Sequence, residues 1–90
     1  MPEPTASRLK VNGIELQLYE WPADGPTVFF AHATGFHARC WDGVIKRLPG
    51  IHAFAIDMRG HGRSDKPEPP YPWRHFGEDV AGVARELKFD

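Results

Sequence analysis

The sequence predicts an α/β fold in which an N-terminal antiparallel hairpin is followed by parallel strands with flanking helices. Three observations lead there. Residues 8–21 alternate apolar and polar around Asn12-Gly13, residues 27–32 and 51–56 are short apolar runs without alternation, and one apolar stripe at helical spacing lies between those runs.

In the hairpin, Leu9, Val11, Ile14, Leu16 and Leu18 share one face, and Asn12-Gly13 suits a type I′ turn, whose two central residues both need positive φ. Pro22, Asp24, Gly25 and Pro26 then stop the strand. Residues 27–32 (Thr27-Val28-Phe29-Phe30-Ala31-His32) read as a strand covered on both faces, with a central place in a parallel sheet. Trp41, Val44, Ile45 and Leu48 fall at i, i+3, i+4 and i+7, a helix that Pro49 and Gly50 end and that Gly43 weakens by roughly 0.5–1 kcal/mol relative to Ala. Residues 51–56 form a second buried strand, and the strand-helix-strand unit is expected to be right-handed. Four prolines between residues 67 and 72 make a loop. Phe76, Val80, Val83, Ala84 and Leu87 then form a second amphipathic helix, with Glu78 and Asp79 expected in its first turn. A further strand is expected to follow that helix.

Ninety residues allow one small domain, here residues 1–90 with 1–7 as a disordered tail, and a chain this short leaves little room for a large enclosed cavity. Eleven Lys and Arg against twelve Asp and Glu give a formal charge of −1, which argues against nucleic acid or an anionic membrane surface as a partner. Cys40 stands alone, so neither a disulfide framework nor a cysteine zinc site is expected, and a reducing compartment fits. Residues 1–10 hold no apolar core of a signal peptide or membrane span, and a cytoplasmic location is expected.

Chemistry concentrates in two loops, each at the carboxyl end of a buried strand, where open α/β sheets place their ligand sites. The first is His32-Ala33-Thr34-Gly35-Phe36, whose glycine lets backbone curve around a ligand while the following helix presents free N–H groups. Such donors stabilise a developing oxyanion by about 2.7–4 kcal/mol each. On its residues alone the loop also fits an ordinary strand-to-helix turn. The second is Asp57-Met58-Arg59-Gly60-His61-Gly62-Arg63-Ser64-Asp65-Lys66, a tightly folded segment in which charged side chains brace the backbone. It is not a dinucleotide loop, because Asp65 stands where a third glycine is needed, and no Gly-Lys-Ser or Gly-Lys-Thr occurs.

Together these segments resemble the α/β-hydrolase superfamily, with Asp57-Met58-Arg59-Gly60-His61-Gly62-Arg63-Ser64 as the most specific match. The resemblance runs from about Leu9 to Leu87 and covers the first third of the family's domain, a partial α/β-hydrolase fold. It implies that the backbone N–H of Thr34 serves as an oxyanion-hole donor. It also implies that His32, Ala33, Gly35, Phe36, Asp57, Arg59, Gly60, His61 and Gly62 shape the site. His32 and His61 would hydrogen-bond loop backbone rather than transfer protons. Two positions depart from the pattern: Ala33 replaces the usual glycine, and Gly35 stands where epoxide hydrolases and dehalogenases of this fold carry proline, which argues against those subfamilies. No Gly-x-Ser-x-Gly is present, so the nucleophile, the acid and the catalytic histidine are expected outside these residues. Neither Ser7 nor Ser64 has the setting to substitute.

No cofactor is expected. The five histidines show no i, i+4 pair with an acidic partner on a predicted helix, so no metal site is expected either. His52 reads as incidental, and Cys40 as a small, inert core residue. The expected activity is hydrolysis of an ester-like or related small-molecule substrate by the complete enzyme, the ninety residues alone being inactive. The rival from another class is a non-catalytic remnant, or a fragment that completes another chain's sheet. In that case residues 27–32 form an apolar open edge that drives self-association. A small nucleotide-binding domain is the weakest alternative.

Overall fold

Asn12 and Gly13 carry φ values of 51° and 83°, the pair of left-handed conformations a two-residue hairpin turn requires. They join β1 (Thr5–Val11) to β2 (Ile14–Trp21), with Leu9 opposite Leu16 and Val11 opposite Ile14. In this computed structural model, which describes residues 4–32, 36–48, 50–69 and 71–88, the hairpin begins earlier than expected. Residues 5–7 are not a tail: Thr5, Ala6 and Ser7 pair with Glu20, Tyr19 and Leu18. Their side chains are exposed, so backbone hydrogen bonding to a long partner strand holds them, a force that leaves no hydrophobic pattern.

The remaining strands are β3 (Thr27–Ala31) and β4 (His52–Ile56), and the sheet order is β1-β2-β4-β3. β4 pairs antiparallel with β2 and parallel with β3. Within the described sheet the interior place belongs to β4, whose last four residues are buried, rather than to residues 27–32. β3 is an edge strand of the described sheet: Val28, Phe29 and Phe30 are only partly covered, and Thr27 and Ala31 are exposed.

Period-two alternation divides the core into two layers. Val11, Leu16, Leu18, Phe54, Ile56 and Met58 point to one face and are covered by α2 (Trp73–Glu86) through Val83, with Phe76, Val80 and Leu87 packed alongside. Tyr19, Trp21, Ala53 and Ala55 point to the other and meet Ala38 and Ile45. Those two residues lie on a 3-10 helix (Ala38–Trp41) that runs into the short α1 (Asp42–Lys46). Of the stripe read from the sequence only Ile45 is buried, while Val44 and Leu48 remain more than 40% exposed, because α1 lasts barely more than one turn.

α2 begins at Trp73, after Pro72 in extended conformation, three residues before the first residue of its predicted stripe. Glu78 and Asp79 therefore lie beyond the first turn, and the helix dipole does not account for them. Asp79 is fully buried and faces an arginine. Gly82 lets α2 approach the hairpin, since a β-carbon there would lie 2.3 Å from Val11 Cγ1, whereas one at Gly77 would meet nothing within 4 Å. The two helical glycines should respond oppositely to alanine. Gly82→Ala is expected to destabilise by about 1–3 kcal/mol through overpacking, and Gly77→Ala to stabilise by about 0.5–1 kcal/mol through helix propensity. Urea unfolding of the two variants checks the contrast.

Candidate active site

At the carboxyl end of β4 the chain passes directly into Asp57, 2% exposed. Its Oδ1 accepts the Ala38 N–H at 2.7 Å and its Oδ2 accepts the Arg63 N–H at 2.9 Å. One carboxylate thus ties the start of the 3-10 helix to the glycine loop, with charge-assisted bonds that offset its burial. The arrangement dictates residue 62. Gly62 has φ 51°, and a β-carbon there would sit 2.3 Å from Asp57 Oδ2. Gly60 faces the Tyr71 ring, where a β-carbon would lie 2.4 Å from Cε2.

The loop is anchored on the hairpin through Ser64 and Asp65. Ser64 Oγ accepts the Gln17 N–H at 2.7 Å and donates to the Asp57 carbonyl, with the side chain buried. Asp65 accepts from the Glu15 N–H and from Arg8, both at 2.9 Å, and Arg8 also donates to the Arg63 carbonyl. Lys66 Nζ donates to the Gly62 and Ser64 carbonyls.

A second set of contacts fastens this loop to α2 and to the end of β3. Arg59 donates through two nitrogens to Asp79, at 2.6 and 2.8 Å, in a nearly sealed environment. The hydrogen bond to Asp79 holds the Arg59 guanidinium above the usual arginine value, against burial, which pushes the other way. Asn12 Nδ2 donates to the same carboxylate and to the Glu78 carbonyl, bringing the hairpin turn into the network. His32 Nε2 accepts the Met58 N–H at 2.8 Å, so the proton of the neutral ring is on Nδ1. His61 Nδ1 donates to the Arg59 carbonyl at 2.9 Å, and the His32 and His61 rings lie 5.0 Å apart.

His32, Asp57, Arg59, Gly60, His61 and Gly62 are therefore brought to one end of the parallel pair β3–β4. Ala33, Thr34 and Gly35 lie outside the described residues. Phe36, 56% exposed, lines a cleft of about 230 Å³ with His32, Cys40, Trp41 and Val44. Cys40 is exposed in that cleft and is not a core residue; Ala38 is the residue that the 3-10 turn buries. His52 is not incidental to packing: its Nε2 meets Glu20 Oε2 at 2.5 Å and its ring stacks on Phe54. Among the described residues no three His, Cys, Asp or Glu side chains converge as metal ligands.

The sequence reading missed Asp79, Asn12 and the bridging role of Ser64. Asp79 had a signal, since an acid at i+3 from Phe76 and i−4 from Val83 stands on the apolar stripe of the helix. Ser64 had none beyond its place in the loop. Its removal should be felt, because Ser64→Ala leaves the Gln17 N–H and the Asp57 carbonyl without this partner. The expected loss is about 1–3 kcal/mol, read as a lower denaturation midpoint.

A family model described as the alpha/beta hydrolase family matches residues 28–89. The 2-(acetamidomethylene)succinate hydrolase of Mesorhizobium japonicum is 33% identical over 81 residues, covering 89% of this chain and 29% of that protein. An esterase of Mycobacterium tuberculosis is 36% identical over 94 residues, covering 96% and 28%. An epoxide hydrolase from Vigna radiata superposes with a TM-score of 0.86 at 30% identity, over 98% of this chain and 30% of that one. The chain spans less than a third of the length of each of these proteins. With the matched model covering more than half of its residues, and with this sheet order and these loops, the chain belongs to the alpha/beta hydrolase family.

Proposed function

We propose that this chain is the amino-terminal part of a hydrolase acting on an ester-like or related small-molecule substrate, and that it supplies the oxyanion-binding side of the site. The observation that carries this reading is the hydrogen bond from the Met58 N–H to His32 Nε2, which draws the loop after β3 and the loop after β4 to a common point. Open α/β sheets bind ligands at that end of their strands. In this reading the Thr34 backbone N–H donates to the oxyanion, and Asp57, Arg59, Gly60, His61 and Gly62 hold the neighbouring backbone. The nucleophile, serine or aspartate, lies outside these ninety residues, as do the acid and the catalytic histidine. Gly35, at the position where epoxide hydrolases of this fold carry proline, favours ester-like substrates over epoxides.

No cofactor, nucleic acid or membrane surface enters this reading, and the proposed compartment is the cytoplasm. No helix among the described residues is long and apolar enough to cross a membrane. The ninety-residue chain alone should leave a nitrophenyl ester at the buffer rate. Turnover well above buffer, abolished by Gly35→Pro, would sink the assignment of the nucleophile to other residues. A Gly-x-Ser-x-Gly or aspartate equivalent within about ten to twenty codons beyond Asp90 would support it, following that motif's place on a strand-to-helix turn.

A second reading, a non-catalytic remnant or a fragment completing another chain's sheet, draws on the edge position of β3 with Phe29 and Phe30 only partly covered. Such an edge favours pairing with another strand. Self-association of the purified chain in sedimentation is the expected result, and a sharply monomeric species with a cooperative thermal transition counts against it.

A further inference from the structure

Among the described residues, the buried polar and charged side chains are His32, Asp57, Arg59, Ser64 and Asp79. Four of them lie on or next to the two loops. Asp79 does not: it comes from α2, on the far side of the proline-containing segment, and is fully buried. A buried ion pair is seldom needed for stability, since well-packed apolar residues of similar volume often serve as well or better. What a bidentate arginine-carboxylate pair provides is direction, because the planar guanidinium fork fits the carboxylate in one orientation.

We propose that Asp79 is a positioning residue for the candidate active site: by gripping Arg59 at two nitrogens it sets the backbone of residues 58–61, which in turn holds His32 and His61. The path is short and continuous. Asp79 takes Arg59 Nε at 2.6 Å and a terminal nitrogen at 2.8 Å. The backbone on either side of that side chain makes both imidazole contacts, the Met58 N–H to His32 Nε2 and the Arg59 carbonyl to His61 Nδ1. Asp79 is itself held from a third direction by Asn12 Nδ2, and Arg59 also reaches His75 Nδ1 at 3.4 Å, so the fork has little freedom to swing. The junction of the two loops is thereby referenced to α2 and the hairpin turn rather than to the loops alone. A consequence for catalysis rests on the reading above, in which the loop after His32 binds the oxyanion.

The test compares Asp79→Asn, Arg59→Lys and the apolar pair Arg59→Met with Asp79→Leu in the ninety-residue chain, by amide hydrogen exchange and by histidine ¹⁵N spectra. Met58 exchange is read against Ala55, a fully buried residue of β4. Global destabilisation would accelerate both amides together. The positioning role predicts that Met58 accelerates about tenfold or more relative to Ala55 in all three variants, as a local opening does. It also predicts that His32 loses its fixed Nδ1–H tautomer. The apolar double variant should show this with its thermal transition near the parent's. Met58 and His32 unchanged in a folded double variant would overturn the proposal. So would loss of the whole fold in every variant, which would make the pair a global support. In a longer form of the protein that hydrolyses an ester, Asp79→Asn should lower kcat about tenfold or more with KM within about twofold, the pattern of an interaction made in the transition state. Unchanged kcat alongside altered Met58 exchange would leave the positioning role standing and count against the oxyanion reading.

Discussion

A carboxylate removed from water at the end of the central strand must find hydrogen-bond donors, and much of this molecule's functional end follows from how Asp57 does so. Its two oxygens take backbone N–H groups from two different segments, at Ala38 and Arg63. The loop must then double back within six residues and pass so close to the carboxylate that residue 62 cannot carry a side chain. Ser64 closes the same turn by bridging the Asp57 carbonyl to β2. One buried charge thus sets the course of the backbone, the glycine within it and the attachment of the loop to the sheet.

The interior is correspondingly divided. Two apolar layers, one under α2 and one under the 3-10 helix and α1, hold the sheet together. The buried polar and charged residues among the described ones, His32, Asp57, Arg59, Ser64 and Asp79, lie in the network that joins the loop after β4 to its neighbours. Apolar contact is non-directional and tolerates small displacements, whereas hydrogen bonds specify distance and angle. The loop after β4 therefore rests on the second kind of contact, supported by a sheet built from the first.

Proteins that share this scaffold carry names as different as esterase and epoxide hydrolase, which is the usual relation between a fold and the chemistry placed on it. The common part is the backbone course, which superposes on the Vigna radiata epoxide hydrolase with a TM-score of 0.86 over 98% of this chain. Substrate choice depends on side chains that surround the reacting atoms, and this chain spans less than a third of those relatives' lengths.

Local periodicity and turn chemistry were enough to determine the hairpin about Asn12-Gly13, an apolar strand read at 51–56 and found at 52–56, and the helix carrying Phe76, Val80 and Val83, while the resemblance carried by residues 57–64 pointed to the family. Each of these depends on residues close together in the chain. Three features depended on partners far away in sequence, and only the tertiary structure decided them. Thr5, Ala6 and Ser7 became strand because β2 was long enough to pair with them. Within the described sheet β4 rather than β3 took the interior place because β2 pairs with it. Asp79 became tied to the loop after β4 because Arg59, twenty residues earlier, takes it as a buried counter-charge. Backbone pairing and charge matching over such separations leave little periodic trace, and an acid on an apolar helical stripe was the one sign of them in the sequence.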